Sequence, residues 1–299
     1  MTVPTRRNVL LGGLAMAGSA CVPIEASTAS RREAKLRIVE AAAGGELGVF
    51  ALDTQTGLGL GHRQTERFGH CSSFKASLAA MVLQLDAEGT ISADEHVRWT
   101  RDQLMSVSPF TTRRLETGAS LRELAEFTQK YSDNAAANIL LAKLGGPQAL
   151  TAFWRSMGDE ISRLNRTEPT LNQVPPGESR DTTTPQAMAT TLARLLYGGG
   201  LAAEAGAQLK GWMHDTPTGL RRVRAGLPDG WHAGDKTGTS TWPGMGSLYV
   251  DIGFIEPPGR TPLTFATYYR AAAAQDGMDA ASEAVLAQAG AIIASWAAA

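Results

Sequence analysis

Two hydrophobic periods alternate along the chain and divide it into three parts. Short apolar runs bounded by turn residues predict strands near both ends, at 47–53, 58–62, 231–237, 249–255 and 263–270. Between them, apolar residues at helical spacing predict helices at 75–88, 120–130, 134–144, 147–157 and 185–197. The same spacing predicts a helix before the first strand, at 31–44, and one after the last, at 278–298.

This order predicts an α+β fold in which both chain ends build one sheet. We expect a mixed or antiparallel five-stranded sheet, flanked by helices and packed on an inserted all-α subdomain. The α/β subdomain is predicted at 30–66 and 213–299, and the all-α subdomain at 67–212. A cleft between such layers is the usual place for a binding site.

The predicted domain 1–29 has the pattern of an export signal. Arg6 and Arg7 precede an apolar run at 9–20, which is typical of twin-arginine signals and too short to span a bilayer. Cys21 leaves lipid anchoring as an alternative, although Gly18 stands where lipoprotein signals favour leucine. We predict a periplasmic or secreted protein without a permanent membrane span.

The composition excludes several classes of function. The chain has 299 residues and a formal net charge of -1, and no basic stretch is interleaved with aromatic residues, so no nucleic-acid partner is predicted. The five histidines lack the spacing of metal ligands, and no dinucleotide or phosphate-loop motif occurs. We therefore expect neither a metal nor a cofactor, and we expect a monomer.

The run at 72–75, Ser-Ser-Phe-Lys, has the spacing S-x-x-K that suits nucleophilic catalysis. A serine at a helix start lies near free backbone N–H groups, and a residue three positions later lies on the same face. A partly desolvated Lys75 could exchange the proton of Ser72. Alone, the pattern favours a helix-capping serine followed by a solvated lysine, so it needs the support of further motifs.

Two further short motifs follow along the chain. The run 132–134 reads Ser-Asp-Asn, which is also typical of a turn and helix cap. The run 235–239 reads Asp-Lys-Thr-Gly-Thr at the end of a predicted strand, where a lysine can guard a sheet edge. Together with S-x-x-K, and in this order, they form the motif set of the penicillin-recognising serine enzymes.

A carboxylate and an amide in a predicted loop separate the hydrolases from the transpeptidases of that superfamily. Glu168 and Asn172 could hold a water molecule, with Glu168 as its base, while Arg166 and Asp181 could clasp the loop ends. The alternative is that these side chains are ordinary surface charges. Hydrolysis of an acyl-enzyme needs such a water, so the segment favours a hydrolase.

The four elements, in their order and spacing, resemble the class A β-lactamases over essentially all of the mature chain. The resemblance implies small-molecule β-lactam substrates, an acyl-enzyme on Ser72 hydrolysed by water, and antibiotic resistance. The catalytic residues that it implies are Ser72, Lys75, Ser132 and Glu168. The implied substrate-binding residues are Asn134, Asn172, Arg222, Lys236, Thr237 and Thr239.

The resemblance also implies a role for most of these groups. Ser132 would relay a proton to the leaving nitrogen, and Asn134 would bind the side-chain amide of the substrate. Lys236, Thr237 and Arg222 would bind its carboxylate. The backbone N–H groups of Ser72 and Thr239 would form the oxyanion hole. Whether Lys75 or Glu168 takes the Ser72 proton stays open.

Some positions depart from common family patterns. Val107 stands where many members place an aromatic residue. Ser240 stands where some carbapenem-hydrolysing members have a cysteine paired with the equivalent of Cys71, so we expect Cys71 to be an inert buried thiol. Trp242 is either a substrate contact or a surface residue.

Two rival functions remain. One is a DD-peptidase or transpeptidase, and the other is a β-lactam sensor that acylates without turnover.

Overall fold

The computed structural model describes Met1 and residues 24–298, giving only the backbone for 24–30. The predicted twin-arginine pair and Cys21 lie outside the described residues. Within the described part, no helix is both long enough and apolar enough to cross a membrane.

Strands near both chain ends build the central sheet. The strands of the described chain are β1 (Glu46–Asp53), β2 (Gly59–His62), β3 (Phe68–Gly69), β4 (His96–Val97), β5 (Ala119–Ser120), β6 (Thr182–Thr183), β7 (His232–Ser240), β8 (Leu248–Glu256) and β9 (Leu263–Arg270). Five of them form one antiparallel sheet in the order β2-β1-β9-β8-β7. The pairing of β1 with β9 joins the two ends of the chain, so the predicted α+β sheet is confirmed and is antiparallel throughout.

Helices occupy the middle of the chain and both of its flanks. They are α1 (Ile24–Ala43), α2 (Phe74–Ala87), α3 (Pro109–Arg113), α4 (Leu121–Tyr131), α5 (Asn134–Lys143), α6 (Pro147–Ser156), α7 (Pro185–Leu196), α8 (Ala203–His214) and α9 (Ala280–Ala297). The predicted helices are present, with ends that differ by a few residues, and α1 begins earlier than predicted. The boundaries of the two predicted subdomains stay a prediction.

Alternation along β8 gives the sheet two buried faces. Val250 and Ile252 belong to a core that includes α2, α7 and α8, whereas Tyr249 and Ile255 belong to a second core with α1 and α9. Because helices cover both faces, β8 and β9 are buried along nearly their whole length. The edge strand β7 is left beside the helical part of the chain.

The sequence prediction omitted helices α3 and α8 and the two-residue strands β3, β4, β5 and β6, and it ended strand β7 too early. The prediction omitted α8 because Gly206 and Gly211 lower the helical propensity of this segment. The segment nevertheless forms a helix, since Trp212 and Met213 are buried in the core. Strand β7 runs to Ser240 rather than ending at Thr237, since its pairing with β8 continues to Leu248.

Asp133 holds the junction between α3, α4 and α5. Its carboxylate is fully buried and accepts hydrogen bonds from the backbone N–H groups of Phe110 at 2.9 Å, Thr111 at 3.0 Å and Ala136 at 2.9 Å. It also accepts one from the Thr111 hydroxyl at 2.9 Å. The helix-cap interpretation of the 132–134 motif is therefore correct for its middle residue.

We predict that Asp133→Ala lowers the free energy of unfolding by about 3 kcal/mol, because it leaves several buried N–H donors without an acceptor. Urea denaturation at fixed pH measures the change. Glu160→Ala is the matched control, since the Glu160 side chain is 77% exposed and makes one ion pair, with Arg155 at 3.4 Å. Equal stability losses in the two variants would contradict the prediction.

Candidate active site

A cleft of about 290 Å³ lies between β7 and the helical part of the chain. Eight of the ten sequence-predicted site residues line it, namely Ser72, Ser132, Asn134, Glu168, Asn172, Arg222, Thr237 and Thr239. The other two, Lys75 and Lys236, are fully buried and donate hydrogen bonds to residues in that wall. The structure therefore brings all ten residues together.

A short 3-10 turn, Cys71–Ser73, places Ser72 immediately before α2. Cys71 has φ +45, a backbone conformation that is uncommon for a residue with a Cβ. A Cβ on Gly238 of β7 would lie only 2.9 Å from Cys71 Cβ and 3.0 Å from Ser72 N. Glycine at 238 therefore allows β7 to approach the backbone of Ser72.

Lys75 connects the nucleophile to three other segments. Its Nζ donates to Ser72 Oγ at 2.8 Å, to the Ser132 carbonyl at 3.0 Å and to Asn134 Oδ1. It also forms an ion pair with Glu168 Oε1 at 2.9 Å. The solvated-lysine interpretation of the S-x-x-K motif is therefore wrong.

Burial lowers the pKa of both lysines in the cleft wall. It lowers the pKa of Lys75, and the neighbouring Glu168 carboxylate opposes that shift. Burial also lowers the pKa of Lys236 well below its usual value, and the positive charge of Lys75 lowers it further. The two ammonium groups therefore lose their protons more readily than lysines in water.

A break between α4 and α5 turns Ser132 into the cleft. Ser132 ends α4 with φ +61, in the left-handed region. Its Oγ accepts hydrogen bonds from Lys236 Nζ at 3.1 Å and from Lys75 Nζ at 3.4 Å. Because both lysines donate, the Ser132 O–H is free to donate to a group in the cleft.

The loop that carries Glu168 is closed at its base by Asp181. The Asp181 carboxylate accepts hydrogen bonds from the backbone N–H groups of Asn165 at 2.7 Å and Arg166 at 2.9 Å, and from Arg166 Nε at 2.5 Å. Arg166 Nη2 also donates to the Gln173 carbonyl at 2.8 Å. The predicted clasp is present, and Asp181 is buried rather than a surface charge.

Asn138 and Asn172 orient Glu168 within this loop. Asn138 accepts from Glu168 N at 3.0 Å through Oδ1 and donates to the Glu168 carbonyl at 2.9 Å through Nδ2. Asn172 Nδ2 donates to Glu168 Oε2 at 2.7 Å. Among the described residues, the buried Asn172 Oδ1 has no hydrogen-bond donor. It is therefore an acceptor at the side of the Glu168 carboxylate.

Ser240 joins β7 to the same loop. Its Oγ donates to the Asn172 carbonyl at 2.9 Å. Lys236, Gly238 and Ser240 alternate along β7 on the face that meets the helical part, since they pair with Ile252, Val250 and Leu248. A single strand face thus contacts Ser132, Ser72 and Asn172.

Threonine hydroxyls and an arginine form the other side of the cleft. Arg222 is buried and donates to Thr239 Oγ1 at 2.7 Å and to the Gly238 carbonyl at 2.8 Å. Its Nε lies 3.3 Å from Glu283 Oε1. Thr237 Oγ1 is 2.7 Å from Thr218 Oγ1. Because Arg222 donates to Thr239, the Thr239 hydroxyl hydrogen is free to bind an anion.

Of the three positions singled out in the sequence, one is buried, one lines the cleft and one lies outside it. Cys71 is a free, buried thiol whose pKa burial raises to about 12, as expected for an inert cysteine. Val107 lines the cleft and is 60% exposed. Trp242 is half-buried and is absent from the cleft lining.

The sequence prediction omitted Asn138, Thr218 and Glu283. Asn138 follows Asn134 by one helical turn of α5, so helix geometry could have found it. Thr218 and Glu283 come from a loop and from α9, and no local pattern relates them to the other motifs.

Comparisons with known proteins agree with this geometry. Residues 31–297 match the model of the family described as the β-lactamase enzyme family. The carbapenem-hydrolysing β-lactamase KPC of Klebsiella oxytoca is 43% identical over 246 residues, which cover 82% of each chain. The β-lactamase CTX-M-8 of Citrobacter amalonaticus is 41% identical over 235 residues, covering 79% of each chain.

Solved structures with the same fold are also similar in sequence. An ancestral class A β-lactamase superposes with a TM-score of 0.83 at 43% identity, covering 89% of this chain and 99% of the other. A β-lactamase from Burkholderia vietnamiensis gives a TM-score of 0.84 at 43% identity, covering 89% of this chain and 96% of the other.

We predict that Arg166→Ala loosens the Glu168 loop and lowers the free energy of unfolding by about 2 kcal/mol, because it removes charged hydrogen bonds to a buried carboxylate. Thermolysin should then cleave within residues 166–181 faster than in the parent protein. Arg180→Ala is the matched control, because Arg180 pairs with Glu178 and its side chain is 56% exposed. Cleavage no faster in Arg166→Ala than in Arg180→Ala would contradict the prediction.

Proposed function

The chain belongs to the class A β-lactamases, which hydrolyse β-lactam antibiotics and so confer resistance, and we propose that it acts through an acyl-enzyme on Ser72. One observation carries this proposal. Ser72 Oγ lies within hydrogen-bond distance of both a buried ammonium group, at 2.8 Å, and a buried carboxylate, at 3.2 Å. This arrangement suits a serine that must lose its proton and later regain it.

In acylation, Ser72 Oγ attacks the β-lactam carbonyl carbon and its proton passes to Glu168. Ser72 Oγ accepts a hydrogen bond from Lys75 and donates to Glu168 Oε1 at 3.2 Å, which supports Glu168 as the acceptor. The backbone N–H groups of Ser72 and Thr239 stabilise the oxyanion. One such donor typically contributes about a hundredfold to a thousandfold in rate.

As the C–N bond breaks, Ser132 Oγ donates its proton to the leaving nitrogen. Lys75 contacts both Ser132 Oγ at 3.4 Å and Glu168 Oε1 at 2.9 Å. A proton therefore moves from Glu168 to Lys75 while Lys75 supplies one to Ser132. The net result is transfer of the Ser72 proton to the nitrogen, and Glu168 is again a carboxylate.

In deacylation, Glu168 takes a proton from a water molecule that attacks the acyl ester, and Ser72 leaves with its proton restored. Asn172 supports this role, because its Nδ2 holds Glu168 Oε2 and its Oδ1 offers a second acceptor to the water. Ser240 keeps Asn172 in place from β7. This step distinguishes hydrolysis from the lasting acylation of a transpeptidase or a sensor.

Lys236, Thr237 and Thr239 bind the substrate carboxylate. Lys236 supplies charge, and the two threonines supply hydroxyl donors at the surface of the cleft. Arg222 contributes its charge from behind and orients the Thr239 hydroxyl, since its Nη2 donates to Thr239 Oγ1. Asn134 binds the side-chain amide of the substrate at the opposite wall.

We further infer that the protein acts as a monomer in the periplasm or outside the cell. The twin-arginine pattern at Arg6 and Arg7 supports export. The side chains that the proposed steps require are all present in the cleft of a single chain, which supports action as a monomer.

We predict that Glu168→Ala accumulates a covalent adduct. Lys75 also contacts Ser72 Oγ, at 2.8 Å, and can take its proton in acylation when Glu168 is absent, whereas deacylation loses its general base and slows by about a hundredfold to ten-thousandfold. Mixing with a chromogenic cephalosporin, followed by stopped-flow absorbance and intact-mass analysis, measures turnover and adduct together. Ser72→Ala should form no adduct. Glu178→Ala is the matched control in the same loop, and it should turn over like the parent protein.

Two results would overturn the proposed mechanism. A parent protein that stops after one equivalent with a lasting mass increase would be a penicillin-binding enzyme or a sensor. Rapid turnover by Glu168→Ala without a detectable adduct would exclude Glu168 as the base for deacylation.

We also predict that affinity for an anionic β-lactam falls on the alkaline side at a pH below the usual lysine pKa. The pKa of Lys236 is lowered by burial, so its ammonium charge is lost as the pH rises through that lowered value. KM measured against pH for one β-lactam and its neutral methyl ester isolates the effect, since only the anion should show it.

In Lys236→Arg the guanidinium stays charged, so the alkaline rise in KM for the anion should move to higher pH. Lys130→Arg is the control, because Lys130 pairs with Glu126 and Asp215 on the surface. The same alkaline rise in KM for acid and ester would show that Lys236 does not bind the carboxylate.

A further inference from the structure

Met278 lies at the mouth of the cleft, in the segment between β9 and α9. It lines the same cleft as Ser72 and Thr239, yet 58% of its surface is exposed. Among the described residues, exposed large apolar side chains are few. One of them, Leu220, is 60% exposed in the loop after α8 and does not line the cleft. Met278 therefore offers apolar surface that a bound molecule would cover.

The backbone on both sides of Met278 is held in place. Tyr249 Oη accepts a hydrogen bond from Asp279 N at 2.9 Å and lies 3.3 Å from the Gly277 carbonyl. Gly277 has φ +86, a conformation that glycine adopts without strain. Asp279 caps α9 by accepting from Ser282 N at 2.8 Å. These hydrogen bonds hold the backbone on either side of Met278 and so place its side chain beside the cleft.

A second set of hydrogen bonds ties this segment to the loop that follows β7. Gln275 N donates to Ser247 Oγ at 2.8 Å, and Ala271 N donates to the Ser247 carbonyl at 2.8 Å. Gln275 Nε2 also donates to Asp279 Oδ2 at 2.9 Å. The Met278 segment and the β7–β8 connection therefore form one structural unit beside the cleft.

Tyr249 relates Met278 to the carboxylate-binding end of the cleft. Tyr249 pairs directly with Thr239 across the β7–β8 ladder, so their side chains share one face of the sheet. The Arg222 guanidinium lies 5.5 Å from the centre of the Tyr249 ring and donates to Thr239 Oγ1. The residue that anchors Met278 thus contacts the group that orients Thr239.

We propose that Met278 determines specificity by contacting an apolar substituent on the second ring of a bicyclic β-lactam, next to its carboxylate. This inference rests on the proposed function, because the carboxylate binding by Thr239 sets the orientation. A substituent on the adjacent ring carbon then extends from Thr239 towards the mouth of the cleft, where Met278 lies. The flexible thioether side chain adapts to aromatic groups, which favours an aromatic substituent.

Two cephalosporins with the same acylamino side chain test this inference. One carries a methyl group and the other an aromatic vinyl group on the ring carbon beside the carboxylate-bearing carbon. Steady-state KM and kcat are measured for the parent protein, Met278→Ala, Met278→Leu and Leu220→Ala. Thermal unfolding of each variant accompanies the kinetics.

In Met278→Ala, KM for the aromatic compound should rise by about threefold to tenfold, as expected for partial loss of a hydrophobic contact, with kcat nearly unchanged. KM for the methyl compound should change by less than about twofold, because a methyl group buries little apolar area. Met278→Leu should stay close to the parent protein, and Leu220→Ala should leave the ratio of the two KM values unchanged.

An equal rise in KM for both compounds, or an unchanged ratio in Met278→Ala, would overturn the role of Met278 while leaving the proposed function intact. Failure of the parent protein to hydrolyse either compound would instead overturn the proposed function.

Discussion

The buried ion pair between Lys75 and Glu168 is the interaction on which the rest of the site depends. Its charged atoms lie 2.9 Å apart, and the two side chains are 0% and 1% exposed. Removing one partner of such a pair leaves an uncompensated charge and typically costs about 3–5 kcal/mol. The pair therefore couples helix α2 to a distant loop, which Asp181 closes and Asn138 holds. Positioning the serine and positioning the loop become one structural requirement.

Unfavourable backbone conformations are concentrated around the same site. Cys71, Val107, Ser132 and Asp181 have φ between +45 and +61, although none is a glycine. Each lies in the cleft wall, next to a residue of that wall, or at the base of the Glu168 loop. Such conformations cost roughly 1–3 kcal/mol each and persist where the surrounding contacts enforce them. The hydrogen bonds to the Asp133 and Asp181 carboxylates enforce these backbone conformations. Part of the free energy gained in folding therefore offsets the backbone strain at the cleft.

Much of the fold could be predicted from the sequence, because hydrophobic periods depend on local geometry. Local geometry also related a few of the residues that meet in the cleft, whereas most of them were implied only by the resemblance of the motifs to a known family. A lysine three residues after a serine lies on the same helical face, so Ser72 and Lys75 were expected to meet. Strand periodicity relates Lys236 and Ser240 in the same way once β7 is known to continue to Ser240, although the predicted strand ended at Thr237. Hydrophobic periods of the same local kind predicted the five sheet strands and most helices. They missed α8, whose glycines obscure the signal, and α3, which is too short to show a period.

By itself, then, the sequence determined which chemical groups are present and the order of the elements that carry them. Only the tertiary structure decided how those groups are charged and oriented, because burial and contacts between distant segments set both. Lys75 could have been a solvated surface lysine until its burial against Glu168 was known. Arg222 was expected to bind the substrate carboxylate, and no local pattern showed that its guanidinium also donates to the Gly238 and Val250 carbonyls and lies beside Glu283. The place of Met278 at the cleft depends on Tyr249 of strand β8, whose hydroxyl accepts a hydrogen bond from the backbone of the next residue, Asp279. No local pattern in the chain predicts that contact.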